Sequence, residues 1–348
     1  MQYREDDDAL WNIVTRMVHT GRIPLAGMHS SIGLPNGPFQ ALLLAPFGWI
    51  DAGPALMTAG VGMLNVLAVA LVFGFARDFF GRRVALVAAL LIAVNPWAVV
   101  LSRRLWGDDM VAPFAVLALW MLCRWLCRGS DRLLPVAAAA LAIVAQVYIV
   151  GLECLVTGVL ALALGIRRLG RRWTLAAALV IVALSAPYVV GAALARAPAL
   201  ATISRGDSSQ AVVDFAAARY AFDLASEEGY QAFAMQGGSR LDATSGLPAV
   251  VGALARLLYA LGLATGLWTV LRGPGKLNAA PRAVHLLLLA SVTVPVMALL
   301  RHAVPVYPYY LVTTFPAPYL YQALGLRQLW RWASRMAATA RRFARGVL

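Results

Sequence analysis

Charge is scarce in this chain. Only 13% of its 348 residues are charged, where a soluble domain carries about 25%. With 61% hydrophobic residues and a mean hydropathy of +0.73, the chain does not have the composition of a water-soluble domain. Lysine is almost missing: Lys276 stands alone among 30 basic residues, the rest being Arg. The net charge of +14 would fit a nucleic-acid binder if its cations shared one soluble face. They fall instead in short clusters between apolar runs, so no nucleic-acid partner is expected. Cysteine is equally sparse. Cys123, Cys127 and Cys154 cannot build a disulfide framework, and in apolar surroundings they read as small core hydrophobes rather than metal ligands. A Walker loop, a dinucleotide fingerprint, an HExxH pair and a spaced Ser/His/Asp set are all missing. An enzyme so equipped draws its driving force from an activated substrate, and neither a cofactor nor a metal is called for. No cleavable signal peptide is visible, because the first 37 residues are polar and acidic.

What the chain has is apolar length. Its runs match the roughly 20 residues that cross a hydrocarbon core as helix. Spans are expected at 53–76, 83–101, 110–126, 133–149, 151–166, 173–194, 248–271, 283–300 and 309–324. The fold class is therefore all-α, a polytopic transmembrane helical bundle of about nine spans with outer juxtamembrane helices. Residues 1–52 form an outer acidic loop with juxtamembrane helices, since the stretch from Gly37-Pro38 to Ile50 is too short to cross and suits the interface. Residues 53–326 form the membrane domain, and 327–348 a basic amphipathic tail with Trp330 and Trp332, suited to an anionic inner leaflet.

The cations test this order. With the N-terminus outside, the inner loops hold Arg77, Arg82, Arg83, Arg124, Arg128, Arg132, Arg167, Arg168, Arg171, Arg172, Arg272, Lys276 and Arg282. The tail adds Arg327, Arg331, Arg335, Arg341, Arg342 and Arg345, and only Asp78 and Asp131 offset them. That asymmetry is the positive-inside pattern. It places an integral protein in the plasma (inner) membrane, its N-terminus and the long 195–247 loop outside and its tail inside. The loop carries an amphipathic stretch from Val212 to Met235, a candidate lid or interfacial helix.

Both acidic clusters then share the outer side. Glu5-Asp6-Asp7-Asp8 precedes a helical pattern, and the four acids either cap that helix or supply a carboxylate able to deprotonate an acceptor hydroxyl or to hold a metal ion. Asp108-Asp109 has the same two readings, with Arg103 and Arg104 beside it as cations suited to a phosphate. Arg256 lies about two turns into its span, where it can snorkel or meet an anionic headgroup. Arg301, His302, Tyr307, Tyr309 and Tyr310 lie along the last outer loop, the tyrosines as an aromatic belt or as part of a site.

The segments EDDDAL followed by HTGRIP, NGPFQALLLAPFGWI, FARDFFGRRVALVAALLIAVNPWAVVLSR, WGDDMVAPF and YPYYLVTTFPAPYLYQALGL resemble the C-type polytopic glycosyltransferases, the superfamily of protein O-mannosyltransferases and lipid A aminoarabinose transferases. The resemblance covers most of the chain and is most specific in residues 1–128. It implies transfer of a sugar from a polyprenyl-phosphate carrier to a lipid, glycan or protein acceptor at the outer face, among membrane lipids. It makes Asp7 the catalytic carboxylate, with Asp6 and Asp8 as neighbours, and Asp109 or Asp108 the second acid. It gives the carrier phosphate to Arg and Tyr residues of the last outer loop. In that family a first span precedes the acidic loop. Since Met1 lies six residues before Asp7, a stretch of about 20 apolar residues is expected to be encoded upstream. Two other readings compete, a polytopic transporter or lipid flippase and an inactive membrane scaffold. The absence of internal repeats and the gathering of polar residues at one face weigh against transport.

The charge asymmetry makes a direct prediction. Cysteines introduced at Ser208 and Ser334 should differ in intact cells, with an impermeant thiol reagent labelling only Ser208→Cys. Labelling of Ser334→Cys alone would invert the topology.

Overall fold

The computed structural model describes residues 5–30, 34–194, 212–226, 247–273, 280–302 and 305–347. They form thirteen α-helices and one two-stranded pairing. The helices are α1 (Glu5–Thr20), α2 (Phe39–Ile50), α3 (Pro54–Phe80), α4 (Arg82–Val94), α5 (Pro96–Leu101), α6 (Val111–Arg128) and α7 (Leu134–Val147). They continue as α8 (Glu153–Gly165), α9 (Arg171–Leu194), α10 (Ala216–Asp223), α11 (Leu247–Arg272), α12 (Arg282–Ala298) and α13 (Ala317–Val347). Strands β1 (Val212–Val213) and β2 (Arg301–His302) pair antiparallel. The protein is an all-α polytopic membrane bundle.

Local chemistry sets the element ends. Acids open α1 at its electropositive end, and Gly21 closes it with φ +67°, its amide donating to the Met17 carbonyl at 2.9 Å. Pro54 sits in the first turn of α3, where its missing N–H costs nothing. Asn95-Pro96 splits the expected 83–101 span: Pro96 cannot donate back into the helix, while the Asn95 side chain accepts from Ala98 N at 3.1 Å and starts α5. The chain breaks again at Tyr148, whose extended backbone (φ −148°, ψ 121°) separates α7 from a 3-10 turn (Ile149–Leu152) and α8. The two expected spans on either side of Val150-Gly151 are thus separate helices, folded back with Gly158 against Leu141 and Gly151 against Val144.

Five helical stretches are long and apolar enough to cross a membrane by length and composition: Pro54–Phe80, Asp108–Arg128, Ile149–Arg168, Arg171–Gly191 and Ala249–Arg272. The other four expected spans are also helical but are interrupted or shorter, as at Asn95-Pro96 and in α12. The 309–324 segment begins as a 3-10 turn (Pro308–Thr314) before Pro316 and α13. The Asp108–Arg128 window is mostly buried and forms the centre, whereas no part of the window in α9 is buried. Leu175, Leu179 and Val182 on α9 and Met63 and Val66 on α3 present apolar surface outward, as a lipid-facing surface requires.

The bundle has two chemically different ends. At one, the Asp78 carboxylate of α3 meets Arg124 (3.6 Å), Arg128 (3.7 Å) and the Trp120 indole N–H (2.9 Å) of α6. Trp125 donates to Asp131 at 2.9 Å, and Arg168 and Arg327 donate to the Leu126 and Phe80 carbonyls. At the opposite end lie α1, α2, the Asp108–Met110 turn, the Tyr148 break, the β1–β2 pair and the Pro308–Thr314 turn.

Helix α11 packs on α13 at backbone distance. A Cβ at Gly262 would collide with the Tyr321 carbonyl, one at Gly325 with the Leu258 carbonyl, and one at Gly266 would lie 2.6 Å from the Tyr321 ring. Small residues four apart are the usual means of bringing two membrane helices this close. Gly262→Leu should therefore destabilise the protein by about 1–3 kcal/mol, read as a lowered melting temperature in detergent. Gly252→Ala, where a Cβ meets nothing within 4 Å, should leave the temperature unchanged.

Candidate active site

Four pieces of chain converge at the end away from the arginine loops: the first loop (27–37), the 103–108 loop, the Tyr148 break and the Pro308–Thr314 turn. Their backbones carry polar groups that no helix satisfies, and two buried amide side chains supply the partners. Gln40, at the start of α2, accepts from Met28 N at 2.9 Å and donates to the Val147 carbonyl at 2.8 Å. Asn36 donates to the Met28 carbonyl at 3.1 Å and accepts from Ile149 N at 2.8 Å. Gly27 and Gly107 leave room for Gln40, since a Cβ on either would strike its amide.

Between these pieces lies a cavity of about 480 Å³. Trp106, Tyr148, Tyr309 and Tyr310 form its aromatic wall, Asp108 supplies a carboxylate, and His29, Ser30, Asn36 and Gln40 line the rest with Met28, Gly107, Ile149, Val150 and Leu299. Tyr309 lies 5.0 Å from Trp106 and 4.9 Å from Tyr310, ring centre to ring centre.

The acids gather behind and beside that wall. Asp7 of α1 is buried, and its Oδ1 accepts from Leu105 N at 3.0 Å across 98 residues of sequence. Asp109 is 1% exposed, neither of its carboxylate oxygens has a hydrogen bond among the described residues, and it lies within electrostatic reach of Asp108, Arg104 and Asp7. Asn65 of α3 donates to the Asp109 carbonyl at 2.8 Å and fixes the turn. The Arg104 guanidinium stacks over Trp106 at 4.0 Å from the ring centre. Asp7, Asp108, Asp109 and Arg104 thus form one constellation beside the cavity, with Asp108 lining it and Asp7 and Asp109 buried next to Asp108.

The remaining residues singled out from sequence lie elsewhere. Asp8 and Arg103 are exposed, and the Asp6 side chain lies outside the described residues. Arg256 is half-buried on α11 and does not line the cavity. Arg301 is exposed, and His302 turns to Asp214, Nε2 to Oδ1 at 3.3 Å, as part of the β1–β2 pair. The Ala216 amide, and then His302, hold the Asp214 carboxyl below the usual carboxylate range. Tyr307 stacks on Tyr309 at 5.4 Å without lining the cavity, while Tyr310 lines it directly. The amphipathic 212–235 stretch is described only to Ser226, as β1 and α10; Tyr230 and Phe233 lie outside the described residues. Among the described residues, no group of three or more His, Cys, Asp or Glu side chains is placed to hold a metal ion.

Sequence reading passed over Gln40, Asn36, Trp106 and Tyr148. Gln40 is the lone amide in the apolar run Phe39–Ile50, and a polar side chain in such a run is buried only when paired. That was an available signal.

Residues 56–190 match the family model described as dolichyl-phosphate-mannose-protein mannosyltransferase. Two solved structures of ArnT from Cupriavidus metallidurans share the fold. The apo form matches with a TM-score of 0.58 at 17% identity, over 97% of this chain and 58% of that one. The form bound to undecaprenyl phosphate matches with a TM-score of 0.56 at 18% identity, over the same 97% and 58%. The chain therefore spans little more than half the length of those proteins. No curated protein matches it in sequence. The fold is that of the C-type polytopic glycosyltransferases.

The Gln40 bridge should be expensive to remove. Gln40→Leu leaves Met28 N and the Val147 carbonyl buried without their partner, at about 1–3 kcal/mol for each. Thermal unfolding should show it as a drop of several degrees, while Asp8→Asn on the exposed face of α1 should show none.

Proposed function

We propose that this chain is a membrane glycosyltransferase that moves a hexosyl or pentosyl group from a polyprenyl-phosphate-linked donor to a hydroxyl of a lipid, glycan or protein acceptor. The observation that carries the reading is the constellation of Asp7, Asp108, Asp109 and Arg104 beside a sugar-sized cavity, at the end of the bundle away from the arginine loops. The positive-inside pattern supports a site on the non-cytoplasmic face of the inner membrane. The fold shared with a protein solved with undecaprenyl phosphate, and the match to a mannosyltransferase family over residues 56–190, support a lipid-phosphate donor.

In this reading the reaction is an inverting displacement. A carboxylate takes the acceptor hydroxyl proton as the acceptor oxygen bonds to the anomeric carbon. The bond from that carbon to the phosphate oxygen breaks, and polyprenyl phosphate departs with the electron pair. Asp7 is the base by family resemblance, and Asp108 meets the acceptor from the cavity wall. Arg104, held flat on Trp106, offers its guanidinium to the phosphate as charge develops there. Asp109, buried behind the turn, holds Arg104 electrostatically. The membrane surface and the aromatic wall limit access of water to the donor.

Asp7→Asn and Asp108→Asn should each lower transfer by about 10²–10⁴-fold, because an amide cannot take a proton, while expression and binding of the carrier lipid persist. Asp8→Asn should stay within about twofold of wild type, as a solvated neighbour that only adjusts the helix end. Sugar transfer assayed in proteoliposomes decides between this and helix capping: wild-type rates in both the Asp7 and Asp108 variants would leave the acids as caps.

A further inference from the structure

Tyr148 is held with more care than its place in the fold requires. It is the residue at which the α7–α8 hairpin breaks, with an extended backbone between two helical stretches. The carbonyl before it, on Val147, is bound by the Gln40 amide at 2.8 Å, and the N–H after it, on Ile149, is bound by Asn36 Oδ1 at 2.8 Å. Its own N–H donates to the Val144 carbonyl at 3.1 Å, and its carbonyl accepts from Gly151 at 2.7 Å. Two deeply buried amide side chains, Asn36 of the first loop and Gln40 of α2, are thus spent on the backbone flanking a single residue. A break made only to reverse the chain would need a glycine or proline and a turn, not two side-chain clamps from 107 and 113 residues away.

The side chain placed in this way ends in an unused donor. The Tyr148 ring lies on the cavity wall, 6.3 Å from the Tyr310 ring. Its hydroxyl is buried and has no hydrogen-bond partner among the described residues. It is within electrostatic reach of Asp108 on the same wall and of Glu153 behind it. A buried hydroxyl left without a partner is costly, and a binding site is where such a group gains one when the ligand arrives.

We propose that Tyr148 is a specificity-determining residue: its hydroxyl donates a hydrogen bond to one hydroxyl oxygen of the sugar seated beside Asp108, and so favours a sugar hydroxylated there over the corresponding deoxy sugar. The inference rests on the reading that the cavity receives a sugar. The rigid backbone fixes the direction of the phenol, so one position on the ring is read and the others are not.

The test uses the full chain in proteoliposomes with undecaprenyl-phosphate mannose, glucose, galactose and arabinose, followed by the monodeoxy analogues of whichever donor is transferred. Wild type should prefer the parent sugar over one analogue by about tenfold or more, and Tyr148→Phe should bring that ratio to within about twofold of one while leaving the ratios for the other analogues unchanged. A ratio of kcat/KM values for two donors is independent of how much of the variant is folded, so impaired folding does not mask the result. Unchanged ratios in Tyr148→Phe, with transfer intact, would overturn the inference. So would the same lost discrimination in Glu153→Gln, which would mean that the phenol serves Glu153 rather than the sugar. If none of the four donors is transferred by wild type, the glycosyltransferase reading itself fails, and that outcome is distinct from the others.

Discussion

The site end of this protein depends on one side chain in an apolar helix. Gln40 joins the first loop to the break between α7 and α8 by using both ends of its amide at once. Inside a membrane bundle an unpaired backbone N–H or C=O has no water to turn to. The first loop and the Tyr148 break each expose such groups, and Gln40 satisfies one of each while Gly37 N bonds the Gln146 carbonyl directly. Glycine at 27 and 107 clears the space, and Asn36 repeats the device one helical turn earlier. The 103–108 loop is tied to α1 by Asp7 in the same way. The Asp7 carboxylate is thus itself a fastening, which is how this end of the bundle can be rigid without being built of regular structure.

Charge is arranged along the bundle by a different logic at each end. Asp78 is surrounded by Arg124, Arg128 and the Trp120 N–H, so its charge is answered and α3 is locked to α6. Such a cluster is structural: every group meets its complement. At the other end, among the described residues, the Asp109 carboxylate lies within electrostatic reach of the Asp108 and Asp7 carboxylates and of the Arg104 guanidinium. Like charges buried together are costly unless something is gained by them, and such grouping is characteristic of sites that act on a ligand.

Much of this was readable from sequence, because the signals were long or local. Apolar runs and arginine clusters predicted the helices and the two ends, and the acids of the two outer segments pointed to a shared site. What sequence could not reveal was which acid of each cluster turns inward. Asp7 and Asp8 are neighbours, yet one is buried and the other exposed, a matter of helix phase against a partner loop that lies 98 residues away. The family resemblance implies that residues near Arg301 and His302 meet the carrier phosphate, whereas the β1–β2 pair sets His302 against Asp214. Span counting met a similar limit. Asn95-Pro96 lies inside the expected 83–101 span, and whether it bends a helix or divides it depends on the Asn95 cap and on its bond to the Leu224 carbonyl at 3.2 Å.

Helix α9 presents no buried face in its apolar window, yet it is fastened firmly at one end. The Tyr188 hydroxyl donates to the Pro35 carbonyl at 2.7 Å, the Leu184 carbonyl accepts from Gln146 at 3.0 Å, and Gly191 lies against Leu25. A lipid-facing helix answers a mismatch between its apolar length and the bilayer by tilting. Packed along α7 and bonded to the first loop through Pro35, α9 carries any such tilt toward the elements that line the cavity. A change in the thickness of the surrounding membrane would then be felt at the bond by which α9 holds the first loop.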